Sequence, residues 1–205
     1  MLQRHLERFY HLDPLPEIDP FVVADDSGRE ALFLRSSAHD PDDVEIAVHL
    51  PSVALDPACS LSLDLFCQIA EGVSHFVLIA ERARIGLPTT QLELELQAEV
   101  DKFVLLAHLL RHPSSDLNRI KLTVDDQRRA ELLELHRDLY ETARFVHPEG
   151  TELGDRYRLA NQLAARLCFR LGPSRETSKR HRDPSAQLRH FFRVGQLDKL
   201  RLAAA

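Results

Sequence analysis

Glu71 and His75 stand four residues apart in a segment of helical periodicity, so their side chains can meet and share a proton or a metal ion. They belong to a polar stripe of Asp64, Gln68, Glu71, His75 and Arg82. Phe66, Ile69, Val73, Phe76, Val77 and Ala80 occupy the opposite face of the same segment. A polar stripe facing away from an apolar one is expected to be a solvated surface. Glu99 stands out for a different reason. It falls among Leu92, Leu96, Phe103, Leu106 and Leu110, inside the apolar stripe of the next helix. A carboxylate placed there is costly unless it meets a cation or takes up a proton. Lys102, three residues on, and Arg156, at the edge of a later apolar stripe, are its candidate partners. The expectation is a structural ion pair, Glu99 with Lys102 or Arg156, ahead of a catalytic carboxylate.

If these residues form a site, its chemistry is that of a helical bundle with inward carboxylates and histidines. Glu71, His75, Glu95, Glu99 and His136 would then supply metal ligands. The doubled Glu-x-x-His pattern of di-iron bundles is missing, and so are a Gly-rich phosphate loop and a nucleophile motif. No cofactor and no metal are therefore expected. The first functional reading is a non-enzymatic interaction or regulatory domain, a homodimer or the binder of a protein partner. The alternative is a metal-dependent enzyme with Glu71, His75 and Glu99 as catalytic candidates.

Charge separates along the chain. Residues 173–205 carry eight Lys or Arg against three acids, a net +5, and the rest carries -11 of the total of -6. Arg175, Lys179, Arg180, Arg182, Arg189 and Arg193 are the candidate binding cations, which makes nucleic-acid binding the second alternative. The expectation is instead that this basic loop and a C-terminal helix dock on the acidic body, with Phe191 and Phe192 as apolar anchors.

The elements that position these residues follow from periodicity. Leu2, Leu6 and Phe9 predict a short opening helix. Residues 21–24, 31–34 and 44–50 predict three strands of a small antiparallel meander, with a hairpin at Asp25-Asp26-Ser27-Gly28 and a turn at Asp40-Pro41-Asp42-Asp43. Turn chemistry accounts for these aspartates, since they lack the order of a calcium loop. Long helices are predicted over 61–84, 90–111, from Thr123 to Val146, and over 153–171, with Thr89 or Thr90 capping the second. The predicted fold is mainly α with α+β character: five or six helices in a bundle and an N-terminal β-meander. Residues 1–172 form one domain (1–60 helix plus meander, 61–172 bundle), and 173–205 are the basic loop and helix.

A 44% apolar composition over 205 residues suffices for one substantial core. Cys59, Cys67 and Cys168 are odd in number and lack a CxxC spacing, so free thiols are expected. The start, Met1-Leu2-Gln3-Arg4-His5, has no apolar signal region, and no uninterrupted apolar run reaches bilayer length. A cytoplasmic location without membrane association is expected.

Overall fold

The computed structural model describes residues 1–26, 30–36, 44–56, 59, 61–111, 128–171 and 183–205. It is a mainly α fold with α+β character. Helix α1 (Leu2–Tyr10) precedes strands β1 (Val22–Asp25), β2 (Ala31–Ser36) and β3 (Val44–Pro51). Helices α2 (Leu63–Arg84), α3 (Gln91–Arg111), α4 (Arg128–His136) and α5 (Glu152–Leu171) follow, and α6 (Pro184–Arg193) and α7 (Gln196–Ala204) close the chain.

Local chemistry sets the helix ends. The Ser62 hydroxyl accepts from the Leu65 amide and caps α2. Gly86, at φ 67°, ends the helix, with Leu87 N–H donating back to the Arg82 carbonyl. Thr90 and Glu93 then form a reciprocal capping box at the start of α3: each side chain accepts from the other residue's amide, at 3.2 and 3.1 Å. The two helices lie side by side at the centre. Helix α5 covers α3, while α1 and the sheet cover α2.

The sheet differs from the predicted meander. Its order is β1-β3-β2, with β3 antiparallel to β2 and parallel to β1. Strands β1 and β2 are opposite edges, so no hairpin joins them. Val48 and Leu50 of β3 are buried in the core, and the strand with most to bury takes the doubly paired centre. Ser27, Gly28 and the turn residues Asp40, Asp42 and Asp43 lie outside the described residues.

Gly72 is what lets the sheet approach α2. A Cβ there would lie 2.9 Å from Val48 Cγ1, 3.2 Å from Leu50 Cδ2 and 3.3 Å from Glu30 Cγ. Gly72→Val is expected to destabilise the fold by about 1–3 kcal/mol through overpacking. Urea unfolding checks this, and an unchanged midpoint would mean that the sheet does not sit this close.

Two further elements depart from expectation. The third long helix was predicted to run to Val146. Among the described residues α4 ends in a π-helical turn, Arg137–Glu141, where Thr142 N–H reaches back to the Arg137 carbonyl, and Val146 is exposed. The wider turn lets Tyr140 donate to the Glu99 carbonyl at 2.9 Å. Thr123 lies outside the described residues. The predicted single C-terminal helix is two helices, because Val194 and Gly195 are extended between α6 and α7. Arg82 fills that break, donating to the Val194 carbonyl at 2.6 Å and to the Phe192 carbonyl at 3.5 Å. It thereby satisfies carbonyls that the end of α6 leaves open.

By length and composition alone α2 could cross a bilayer, with a mean hydropathy of 1.4 over its most apolar window. Its place is that of a core helix, packed by α1, α3 and the sheet.

Candidate functional site

The polar stripe of α2 is not a solvated face. Asp64 is exposed, Gln68 and Glu71 are half-buried, and His75 and Arg82 are buried. The sheet and α3 cover the stripe. Gln68 accepts from the Glu30 amide at 3.2 Å, which brings the start of β2 over Glu71 and His75.

Helix α3 supplies the other half of the site. Glu93, Glu95, Gln97, Glu99, Asp101 and Lys102 are all buried. At about 100° per residue, residues two apart lie on nearly opposite sides. Glu95, Glu99 and Lys102 face one polar site, whereas Gln97 and Asp101 face a second.

In the first site, Glu71, His75 and Glu95 bring one ligand atom each to within 4.8 Å of one another. His75 Nδ1 stands 3.5 Å from Glu30 Oε1, and Nε2 stands 3.7 Å from Glu95 Oε2. Neither ring nitrogen has a hydrogen-bond partner, nor does Glu30 Oε1. Beside them Lys102 Nζ lies 2.7 Å from Glu99 Oε1 and 3.4 Å from Glu71 Oε2. Lys102 is therefore the partner of Glu99. Arg156 is not: it stands 3.6 Å from Glu152, one turn away on α5.

Burial and mutual repulsion set the protonation of this cluster. Burial works against a charged His75, but Glu30, Glu95 and Glu71 outweigh it and raise its pKa to about 9. Glu95 is pushed up to about 7 by burial, with Glu71 and Glu30 adding to the shift and His75 opposing it. Glu99 and Glu30 are also raised by burial. Lys102 is raised in spite of its burial, because Glu99 and Glu71 hold its proton.

One edge of the cluster, at Glu30, Glu71, Glu99 and Lys102, borders a cavity of about 550 Å³; His75 and Glu95 lie behind its wall. Glu71, Glu99 and Lys102 line one wall, and Tyr157 and Asn161 of α5, with His147 before that helix, line another. A cavity of this size suits a small molecule. Cys67 also lines it, with a thiol that burial pushes up to about 12 and so keeps protonated. His136, the remaining ligand candidate, lies elsewhere: its Nε2 is 2.8 Å from the Ala165 carbonyl, and its ring contacts Tyr140 and Phe169.

The donor set suits a metal ion. Of the ligand pairs, His75 Nε2 and Glu95 Oε2 stand 3.7 Å apart, and all three ligand atoms lie within 4.8 Å of one another. Two atoms bound to one ion at ~2.0–2.2 Å in tetrahedral array lie roughly 3.3–3.6 Å apart, so the side chains would close in slightly on an ion. One imidazole and two carboxylates suit Mn²⁺, Fe²⁺ or Zn²⁺. Glu30, facing the other ring nitrogen, stands where a carboxylate orients a metal-bound histidine.

The second polar site gave no signal in the sequence. Asp101 accepts from Tyr10, from Ser74 at 2.6 Å and from Gln97 at 2.9 Å, and Lys199 of α7 donates to Gln97. Lys199 also lies 4.9 Å from the Phe191 ring centre. Burial lowers its pKa to about 7, with Arg82 adding to the shift and Asp101 and Glu93 opposing it. The unfolded chain keeps its lysine protonated to ~10.4, so it binds more protons above pH 7 and this group's stability contribution rises with pH. The stability of the native protein relative to Lys199→Met is expected to increase by about 2–3 kcal/mol from pH 7 to pH 9. Urea unfolding at both pH values reads this directly; a constant difference would mean that Lys199 stays charged when folded.

Of the six candidate binding cations, the two that are described contact the protein itself. Arg189 pairs with Asp183 at 3.2 Å, and Arg193 donates to the Tyr10 carbonyl at 3.4 Å. Arg175, Lys179, Arg180 and Arg182 lie outside the described residues. Comparison with protein-family models, curated proteins and solved structures returned no match for this chain.

Proposed function

We propose that the chain is a metal protein in which Glu71, His75 and Glu95 hold one divalent first-row ion beside the cavity. Its function on this reading is metal-dependent chemistry on a small polar molecule. The observation that carries it is the triad about His75: ligand atoms of Glu71, His75 and Glu95 lie within 4.8 Å of one another, and the buried imidazole makes no hydrogen bond to the carboxylates on either side, so that an ion bound there would displace its proton. An interaction or regulatory role was expected from the absence of motifs alone, and the cluster supplies a positive observation in its place. Glu30 would orient the imidazole, and Glu71 is the ligand that also lines the cavity, so a substrate there would approach the ion from the Glu71 side. A divalent ion held there polarises a bound oxygen or lowers the pKa of a bound water.

Isothermal titration of the metal-stripped protein with Zn²⁺ or Mn²⁺ tests this. One equivalent is expected to bind, weakened by more than the roughly 10–100-fold that loss of a supporting residue behind a ligand causes, in both His75→Ala and Glu95→Gln. Equal uptake by the native protein and both variants would remove these residues from the site.

A further inference from the structure

We infer that the Lys102 ammonium takes the place of a second cation and so keeps the site to a single metal ion, an inference that rests on the metal reading above. Four buried or half-buried carboxylates, Glu30, Glu71, Glu95 and Glu99, converge on His75 and Lys102. Glu71 is shared: it belongs to the triad with His75 and Glu95, and its Oε2 lies 3.4 Å from Lys102 Nζ. Glu99, at 2.7 Å from the same ammonium, pairs among the described residues with Lys102. In a two-metal carboxylate site one carboxylate joins ions roughly 3.5–4 Å apart, and each ion has further ligands of its own. Here Glu71 has the joining position and Glu99 the outer one. A side chain of α3 delivers the second positive charge in every folded molecule. Chemistry at the site is accordingly that of one ion and one open position, not a pair of ions clamping attacking and leaving oxygens.

Removing the ammonium while leaving room for an ion tests this. Metal-stripped native protein, Lys102→Ala and Glu99→Gln are titrated with Zn²⁺, bound metal is counted by plasma emission, and folding is followed by circular dichroism. One equivalent is expected in the native protein and two in Lys102→Ala, whose melting temperature rises as the second binds. If Lys102→Ala folds only with zinc, the count at the refolding end point is still expected to be two. Glu99→Gln, which keeps the ammonium, is expected to keep one equivalent. One equivalent in Lys102→Ala would overturn the inference and leave the metal site standing. Two equivalents in the native protein would also overturn it, since the ammonium would then exclude no ion. Zero equivalents in the native protein would remove the metal reading and this inference together.

Discussion

Lys102→Met is expected to lower stability by about 3–5 kcal/mol at pH 7, the usual consequence of removing one partner of a buried ion pair. The substitution keeps much of the side-chain volume, so the loss reports charge more than packing. It leaves Glu99 and Glu71 without the cation that lies 2.7 and 3.4 Å from them. Burial already raises the pKa of Glu99, and without Lys102 it is raised further. A carboxyl protonated in the folded state and ionised in the unfolded one loses stability as pH rises above the unfolded value. The deficit of Lys102→Met is therefore expected to grow between pH 5 and pH 7. Chemical denaturation at both pH values measures it. A variant as stable as the native protein would show that Glu99 and Glu71 are held by something other than Lys102.

Removing residues 173–205 is the second large change. Phe191 and Phe192 are fully buried, and Phe192 stacks on Tyr10 at a ring separation of 4.3 Å. Loss of one buried Phe side chain typically costs about 3–5 kcal/mol, and whole domains have only about 5–15 kcal/mol. Truncation also frees the buried groups of Arg82 and Gln97, which now bond Val194, Phe192 and Lys199. The truncated chain is expected to lose its cooperative thermal transition or to melt far below the native protein. An unchanged melt would make α6 and α7 an independent arm, as the nucleic-acid alternative requires.

Local spacing made part of this site legible. Glu71 with His75, and Glu99 with Lys102, are pairs one helical turn apart, and one periodic pattern places each pair. Glu95 follows from Glu99 in the same way. What lies over a face is not local. Periodicity grouped Asp64, Gln68, Glu71, His75 and Arg82 on one side of α2, but that side is covered by Glu30, just before β2, by α3, and by the break between α6 and α7. Glu30 has no sequence signal, because its nearness to His75 depends on Gly72 admitting the sheet. The Lys199 network joins residues more than one hundred positions apart, and no periodic pattern spans that distance. The helical bundle and its N-terminal sheet were legible from apolar spacing, whereas strand order turned on which strand had most to bury.

Anomalous scattering from a crystal of the protein soaked in zinc tests the central claim most directly. The account predicts one strong peak, about 2.0–2.2 Å from a His75 ring nitrogen and from one oxygen each of Glu71 and Glu95, with Lys102 still bound to Glu99. A zinc peak only at other residues, or none at the cluster with His75 closed to roughly 2.8 Å from Glu30 and Glu95 as an ordinary buried ion pair, would contradict it.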